Sequence, residues 1–413
     1  MANTLVSPDI IAKVSLAHLD NALVMKKLVH SDYSDEFTKV GSTINVRRPV
    51  QFEVRSGAVS NMQQVQEVTV PVTMDQQIGV DFEFTSVDMT LTVEEWGERY
   101  AKPAMIQLAN KIDRDLHGLY KYVPNWVGSA GETINSFADY AKAPQRLMEG
   151  AVPNPLNGTL SPADHYGLAG AFTNSVFSTS ITEEAIKNAK LPMVAGVDTY
   201  VSQNIATHTT GTRTGGAPVT NGTTQTTTWT ASGGAWTQDL ICDGFTTGHT
   251  ITAGDVFTLG SSVATGIEAI NPVTKVGLGR LQQFTVVTGG TAVGGTGDVT
   301  LTISPPIITS GPQQTVKLNA ANTDGLALTF MGSASTGYAQ NMVFNRDAFA
   351  FVSRPLYMPP AVTGGAQRSY KGISARVIPL YDGINDVAGW RFDILYGVKA
   401  IYPQLATRVS GST

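Results

Sequence analysis

Three residues on one predicted helix come closest to a chemical site. His117 lies four residues after Asp113 and two after Asp115. At 3.6 residues per turn Asp113 and His117 share a face, and a carboxylate beside an imidazole is the pairing used for proton transfer or for one edge of a metal site. Nothing else joins them. The six histidines (His18, His30, His117, His165, His208 and His249) are scattered, with no two at metal-ligand spacing, so the plainer reading is a charged, solvated helix face. Cys242 is the one cysteine and follows Leu240 and Ile241 in an apolar run, which suits a small buried hydrophobe better than a nucleophile. A lone cysteine excludes an internal disulfide and fits a reducing compartment. Gly289–Gly297 has the glycine content of a phosphate cradle, but no Lys-Ser/Thr follows and the next apolar segment is a strand, so a β-turn connection is expected. No Walker motif, HExxH, G-x-S-x-G or C-x-x-C pair occurs. No catalytic, cofactor-binding or metal-binding residue is therefore assigned, no cofactor is expected, and the chain is not expected to be an enzyme. The last reactive group is basic: Arg47-Arg48 with Arg55 could touch phosphate or a neighbour's carboxylates, or keep a β edge from aggregating.

Composition bounds what those residues can belong to. The 413 residues exceed the size at which one core usually stops growing, so two or three domains are expected. Apolar residues make up 42% and charged residues 15%, with a net charge of −5. That balance excludes a generally basic nucleic-acid binder. It also excludes an acidic disordered chain, for which low hydrophobicity and high charge must coincide. Met1–Asp9 has no basic region followed by an apolar run, and no stretch reaches the ~18 uninterrupted apolar residues that span a bilayer. The expectation is a soluble chain with no secretory signal and no membrane partner.

The elements that must position these residues follow from periodicity. Ser7-Pro8-Asp9 is a helix start with its cap, first-turn proline and first-turn acid in order. Ala12, Leu16, Leu19 and Leu23 then recur at spacings of three and four, predicting an amphipathic helix to about His30, roughly 30 Å long. With no helical neighbour in sequence, it is expected to be an arm. Val50, Phe52 and Val54 alternate with polar residues, as do Val68, Val70, Val72 and Met74, and Ile78, Val80, Phe82 and Phe84 continue the pattern. This predicts an extended β-hairpin with one apolar face, and an isolated ribbon needs a partner surface. Thr92 and Glu95 form a capping-box pattern ahead of a second helix, where Tyr100, Ala104, Leu108, Ile112 and Leu116 repeat every four residues. Pro103 either kinks that helix or begins it. Further helices are predicted at Ala138–Glu149, Pro162–Ala171 and Glu183–Lys190, with a short strand near Thr159. Phe344–Val352 fits helix or strand, and strands follow near Arg376–Leu380 and Arg391–Ala400.

A break in composition interrupts this pattern. Thr209–Gly337 holds 30 Thr, 22 of the 41 Gly and only ten charged residues in 129, less than half the charge density of the rest. So abrupt a shift marks a domain inserted within the chain. Short apolar runs at Trp236–Cys242, Asp255–Leu259, Leu281–Val287, Val299–Ile303, Val316–Leu318 and Leu326–Phe330, separated by Gly, Asn and Pro clusters, predict a small barrel or sandwich. The Thr-rich lead Thr209–Thr228 could instead be flexible low complexity.

A helical arm, a long alternating hairpin, a long helix, a mixed α/β body and a closing strand together resemble the major capsid proteins of tailed double-stranded-DNA phages. The ending Arg391-Phe-Asp-Ile-Leu-Tyr-Gly-Val-Lys-Ala-Ile-Tyr-Pro403 looks like that family's last strand, with its Tyr-Gly pair and following proline. Val194-Ala-Gly-Val-Asp-Thr-Tyr200 ahead of the insertion and Gly254-Asp255-Val256-Phe257 within it are similar to the coat proteins of short-tailed Salmonella phages, which carry a telokin-like inserted domain. The resemblance implies an α+β capsid fold of the Hong Kong ninety-seven type. Its parts would be an N-terminal helical arm (1–39), an extended β-hairpin loop (40–91), a peripheral domain with spine helix and the start of the axial domain (92–208), an inserted all-β barrel (209–337) and a return to the peripheral and axial domains (338–413). It further implies self-assembly into the hexamers and pentamers of an icosahedral shell, in the virion, after assembly in the host cytoplasm. The implied partners are other copies of the chain, a scaffolding protein, a portal and a decoration protein. Double-stranded DNA would be enclosed without sequence-specific binding. Phe52 and Val54, with Arg47, Arg48 and Arg55, are then the candidate intersubunit contacts, because the hairpin's apolar face has no evident cover in its own chain. A β-rich phage tail or surface adhesin protein would share the composition, but should show repeats or a terminal anchor, and neither is found.

Overall fold

Two helices with matching apolar stripes and a chain rich in alternating segments lead to a mixed α+β architecture. The computed structural model describes residues 8–31, 43–55, 57–60, 62–63, 65, 67, 69–85, 102–173, 191, 193–213, 215–229, 236–360, 364–384 and 387–412. The chain divides into two compact units, one of Met1–Asn45, Pro71–His117 and Phe349–Lys399, the other of Val46–Val70, Gly118–Ala348 and Ala400–Thr413. The capping-box pair Thr92 and Glu95, and the predicted helix at 183–190, lie outside the described residues.

In the first unit, α1 (Pro8–Ala22) packs against α2 (Lys102–His117) and against the strands Ala366–Tyr370 and Ile373–Asp382. All four stripe residues Ala12, Leu16, Leu19 and Leu23 are buried, as are Ala104, Leu108, Ile112 and Leu116 of α2. Each buried leucine contributes about 2 kcal/mol. The expectation of an outstretched arm is therefore corrected for this helix: its stripe finds cover within its own chain, on strands some 350 residues away in sequence. Pro103 is the second described residue of α2, and residues 86–101 before it lie outside the described ones. The sheet beneath runs Phe349–Arg354, Val387–Ala400, Ile373–Asp382, Ala366–Tyr370. Gln76–Thr85 pairs antiparallel with residues 387–396, which places Ile78 and Val80 in this sheet and not in a continued hairpin. Pro379 falls beyond the end of the Ala366–Tyr370 pairing and lies opposite Trp390 on the other side.

The hairpin itself is shorter than the alternation predicts. Thr43–Arg47 pairs with Thr69–Thr73, and Val46, Val70 and Val72 are buried. Residues 48–55 run without strand pairing, although Val50, Phe52 and Val54 alternate with polar neighbours.

The second unit is built on a five-stranded mixed sheet in the order Asn125–Val127, Ala406–Val409, Asn341–Asn345, Leu156–Leu160, Val197–Val201. The outer pairs are parallel and the inner ones antiparallel. α3 (Phe137–Glu149) and α4 (Pro162–Thr173) bury Tyr140, Ala143, Leu147, Leu168 and Ala169 in a core shared with Leu160, Val197 and Val343. Ser136 caps α3 by accepting the Asp139 N–H at 3.1 Å. The ambiguous stretch 344–352 resolves as the end of one strand and the start of another, Phe349–Arg354, broken by a 3-10 turn at Arg346–Ala348.

The Thr- and Gly-rich segment begins and ends at one place. Thr207–Thr209 and Gly337–Ala339 pair with each other, Thr209 opposite Gly337. Beyond this neck, six strands follow the order Leu328–Phe330, Val256–Leu259, Gln283–Thr288, Val299–Ser304, Gln238–Asp243, Val219–Thr220. A bridge between Val219 and Ala327 joins the two ends, so the sheet closes on itself. A three-stranded sheet (Gly277–Leu281, Ile267–Ile270, Val316–Leu318) contributes Ile267 and Val316 to the same core as Leu240, Phe257, Phe284 and Leu301. The Thr-rich lead is not loose where it is described. Thr220 Oγ1 donates to the Thr323 carbonyl at 2.5 Å, the Gln225 amide brackets both backbone groups of Ile241, and Thr227 N donates to Ile307 O at 3.0 Å.

Candidate assembly surface

A chain segment that reaches outward needs a fixed base, and in the second unit residues 48–68 have one. Arg48 is buried, its guanidinium 5.1 Å from the centre of the Trp236 ring and 5.7 Å from that of Tyr402. Two aromatic faces around a desolvated cation hold it by about 2 kcal/mol. Burial lowers the Arg48 pKa to about 10, opposed by Tyr402, so the charge persists at neutral pH. Gln51 extends the clamp: its Nε2 donates to Tyr402 Oη at 3.4 Å, and Lys275 Nζ donates to its Oε1 at 3.0 Å.

Beyond the clamp the loop satisfies its own polar groups and turns its apolar side chains outward. The Gln63 amide accepts from Glu53 N at 2.9 Å and donates to Glu53 O at 2.6 Å, standing in for a missing strand. Arg55 Nη1 donates to the carbonyls of Gly57 and Val59. Val54 is 93% exposed, Met62 91%, Val59 85%, Val65 61% and Phe52 59%. So many large apolar groups on one short segment mark a surface meant to be covered.

The sequence-derived contact set thus divides. Phe52 and Val54 lie on the outward surface, joined by Val59, Met62 and Val65, which the alternation rule passed over because they sit among turn residues. Arg55 folds onto its own loop. Arg47 forms an exposed ion pair with Glu67 at 3.1 Å, worth at most about 1 kcal/mol. Arg48 departs from the expectation of an outward contact and belongs inside the second unit. Its partners Trp236 and Tyr402 had no local sequence signal, being separated from it by nearly two hundred residues or more. The three arginines therefore do not converge on a phosphate.

The predicted solvated face of α2 is also corrected. Asp113 and His117 are buried, and only Asp115 keeps partial exposure. Asp113 Oδ2 accepts the Val24 N–H at 2.8 Å, capping the turn that follows α1. Burial raises its pKa to about 6 against the pull of the Val24, Lys26 and Met25 amides, while burial lowers the His117 pKa to about 4. Asp115 accepts from Lys111 Nζ at 2.6 Å and from the Tyr396 hydroxyl. Cys242 lies in the core of the closed sheet, and burial raises its thiol pKa well above the usual range. Gly290–Thr291, within the glycine-rich run, pairs with Thr250–Ile251 as a β connection. Among the described residues no group of three or more His, Cys, Asp or Glu could hold a metal ion. No helix among them is long and apolar enough to cross a membrane.

A buried polar joint at the neck includes Gly254 and Asp255 of the Gly254–Phe257 motif, while its other members carried no sequence signal. Tyr120 Oη lies 3.1 Å from His208 Nδ1, His208 Nε2 lies 3.1 Å from Asp255 Oδ1, and Arg213 Nη1 donates to that same oxygen at 3.0 Å. With Nε2 donating to the carboxylate, Nδ1 accepts the tyrosine proton. Beside it the buried Arg408 donates to the carbonyl of Gly254 at 2.7 Å and to Thr285 Oγ1 at 3.0 Å, between the rings of Tyr120 and Trp126. Every charge in the joint is paired or stacked, as desolvated charges must be.

Residues 2–409 match the family model described as P22 coat protein, gene protein 5. No curated protein sequence matches the chain. Among solved structures, a protein of Mycobacterium phage Che8 is similar at 12% identity, over 94% of this chain and 90% of that one, with a TM-score of 0.48. The capsid of cyanophage P-SCSP1u is similar at 10% identity over 91% and 85%, with a TM-score of 0.43. The virus-like particle from Pyrococcus furiosus is similar at 8% identity over 97% and 98%, with a TM-score of 0.41.

Proposed function

Since this chain belongs to the P22 coat protein family, and is a major capsid protein that forms a phage shell, we propose that residues 48–68 are the part by which one subunit grips the next. The observation that carries this reading is the contrast within the loop: Arg48 is locked between Trp236 and Tyr402, while Phe52, Val54, Val59, Met62 and Val65 stand exposed. Covering Phe52 and Val54 on a neighbour would contribute roughly 2 kcal/mol for each side chain fully buried. Repeated around a ring and over a shell, that suffices for assembly from subunits that stay soluble alone.

In this reading copies of the chain associate as hexamers and pentamers of an icosahedral shell, assembled in the host cytoplasm with a scaffolding protein and a portal, and able to take a decoration protein. The role is structural and not catalytic. Double-stranded DNA is confined within the shell, since a net charge of −5 gives no basis for broad neutralisation of phosphates. Residues 209–337 act as an inserted domain whose low charge suits loop contacts with neighbouring capsomers.

The test is Phe52→Asp with Val54→Asp. Electron microscopy should show no closed shells, while circular dichroism and the melting midpoint of the soluble subunit stay at the parent values. Normal shells from this variant would refute the loop's role.

A further inference from the structure

Arg146 and Arg280 stand side by side in the second unit, and only Arg280 is paired with a carboxylate. Arg280 Nε donates to Glu149 Oε2 at 3.3 Å, whereas Arg146 Nη1 reaches only the neutral Gln283 Oε1 at 3.3 Å. Glu149 is also engaged by the Gln145 amide at 3.1 Å, and Lys142 is committed to Asp139 at 3.3 Å. Three cations thus face two carboxylates. Arg280 Nη1 is buried with no hydrogen-bond partner among the described residues.

Two cavities flank the pair, and both arginines line each of them. The larger, about 420 Å³, is further lined by Lys142, Gln145, Glu149 and Gln283. The smaller, about 60 Å³, is lined by the amides of Gln51, Asn125, Gln282, Gln314 and Gln404, with no acidic residue. Glu149 is the one carboxylate on either wall. A water occupies about 30 Å³, so the larger cavity has room for an ion with part of its hydration shell. Planar guanidinium groups beside amide donors, short of one negative charge, are the chemistry that holds tetrahedral oxyanions.

We propose that Arg146 and Arg280 form a binding site for a small oxyanion of the phosphate class, which supplies the missing charge and takes the unpartnered donor of Arg280. The surroundings of Arg146 agree with this: burial first, and then Arg280, lowers its pKa to about 10. The larger cavity has no residue of the loop 48–68 on its wall.

The full-length soluble subunit is melted in increasing inorganic phosphate and, in parallel, in potassium chloride of equal ionic strength. The midpoint should climb and saturate in phosphate alone. Arg146→Gln and Arg280→Gln should each weaken the apparent phosphate affinity by about tenfold or more, the loss expected when a charged hydrogen bond is removed. Arg280→Lys, which keeps charge without the fork, should fall between. If Arg280→Gln fails to fold, Arg146→Gln carries the test, because its side chain bonds only a neutral amide. Equal responses to phosphate and chloride, or folded variants responding like the parent, would overturn the site.

Discussion

The N-terminal helix and the loop 48–68 carry comparable numbers of apolar side chains and treat them in opposite ways. In α1 and the residue after it, Ala12, Leu16, Leu19 and Leu23 are all buried, whereas in the loop Phe52, Val54, Val59, Met62 and Val65 are all exposed. The difference is not hydrophobicity. The helix satisfies its backbone internally and can slide its stripe onto whatever sheet its unit offers. Among its described residues the loop has no strand pairing, engages Gln63 and Arg55 with its own backbone, and leaves Phe52, Val54, Val59, Met62 and Val65 exposed. An apolar segment becomes core when the same chain supplies the second surface, and an interface when another copy must.

Substitutions can break this contrast, and the largest effect should come from the helix. Leu19→Ala should destabilise the subunit by about 2–5 kcal/mol, read from the shift of a urea midpoint at constant slope. Next is the acid behind the helix. The Asp113 pKa of about 6 lies above its ordinary 3.8, so the group favours the native state below pH 4 and that contribution disappears as pH rises through 6. His117, lowered from 6.5 to about 4, acts the other way and withdraws stability as pH falls through that window. The two largely cancel in the parent. Asp113→Asn should unmask the histidine: stability at pH 7 rises by up to about 3 kcal/mol and then falls on acidification, measured by denaturant curves from pH 7 to pH 4. Arg48→Ala should cost about 1–2 kcal/mol. It should also free the loop, seen as faster proteolytic cleavage within residues 48–68 and a shift in tryptophan emission from Trp236. Phe52→Ala is the smallest perturbation of the subunit, within about 0.5 kcal/mol of the parent. A large loss from Phe52→Ala would mean that the loop is intrachain core after all, and the contrast would collapse.

What was legible in the residues follows the same division. Six apolar runs of the inserted segment each contain or overlap a strand, because local alternation and turn formers decide them. Ile267–Ile270 and Gly277–Leu281 were not seen: Glu268 interrupts the first, and Gly277 and Gly279 remove the side chains that would have shown a pattern in the second. The helices α1, α3 and α4 were legible, although α1 ends at Ala22 and not near His30 as its apolar spacing predicts. That α1 is covered was not, since its partner strands arrive at the far end of the chain. Burial of Asp113 and His117 was hidden for a related reason, because the turn after α1 that lies against Asp113 is a product of packing and not of the α2 sequence. In the loop, alternation picked out Phe52 and Val54, which are exposed, along with the half-buried Val50, while misassigning all three to a strand. A ladder needs two strands, and residues 57–59 form bends without strand pairing.

The paired neck of the inserted segment also has a mechanical meaning. Its two strands run antiparallel, with Tyr338 opposite His208 and Ala339 opposite Thr207, and the pairing is prolonged by Thr210 N to Thr336 O at 3.1 Å and Gln340 N to Ala206 O at 2.9 Å. Tension that draws residues 210–336 straight outward acts along both strands equally. Ladder bonds lie across that direction, so the load passes into covalent backbone and no hydrogen bond is sheared. A force that splays the two strands loads those same bonds one at a time and opens them from the tip in succession. The neck is therefore stiff against a swelling that pulls squarely and weak against a peel, and the direction of strain, more than its size, decides whether the segment stays seated.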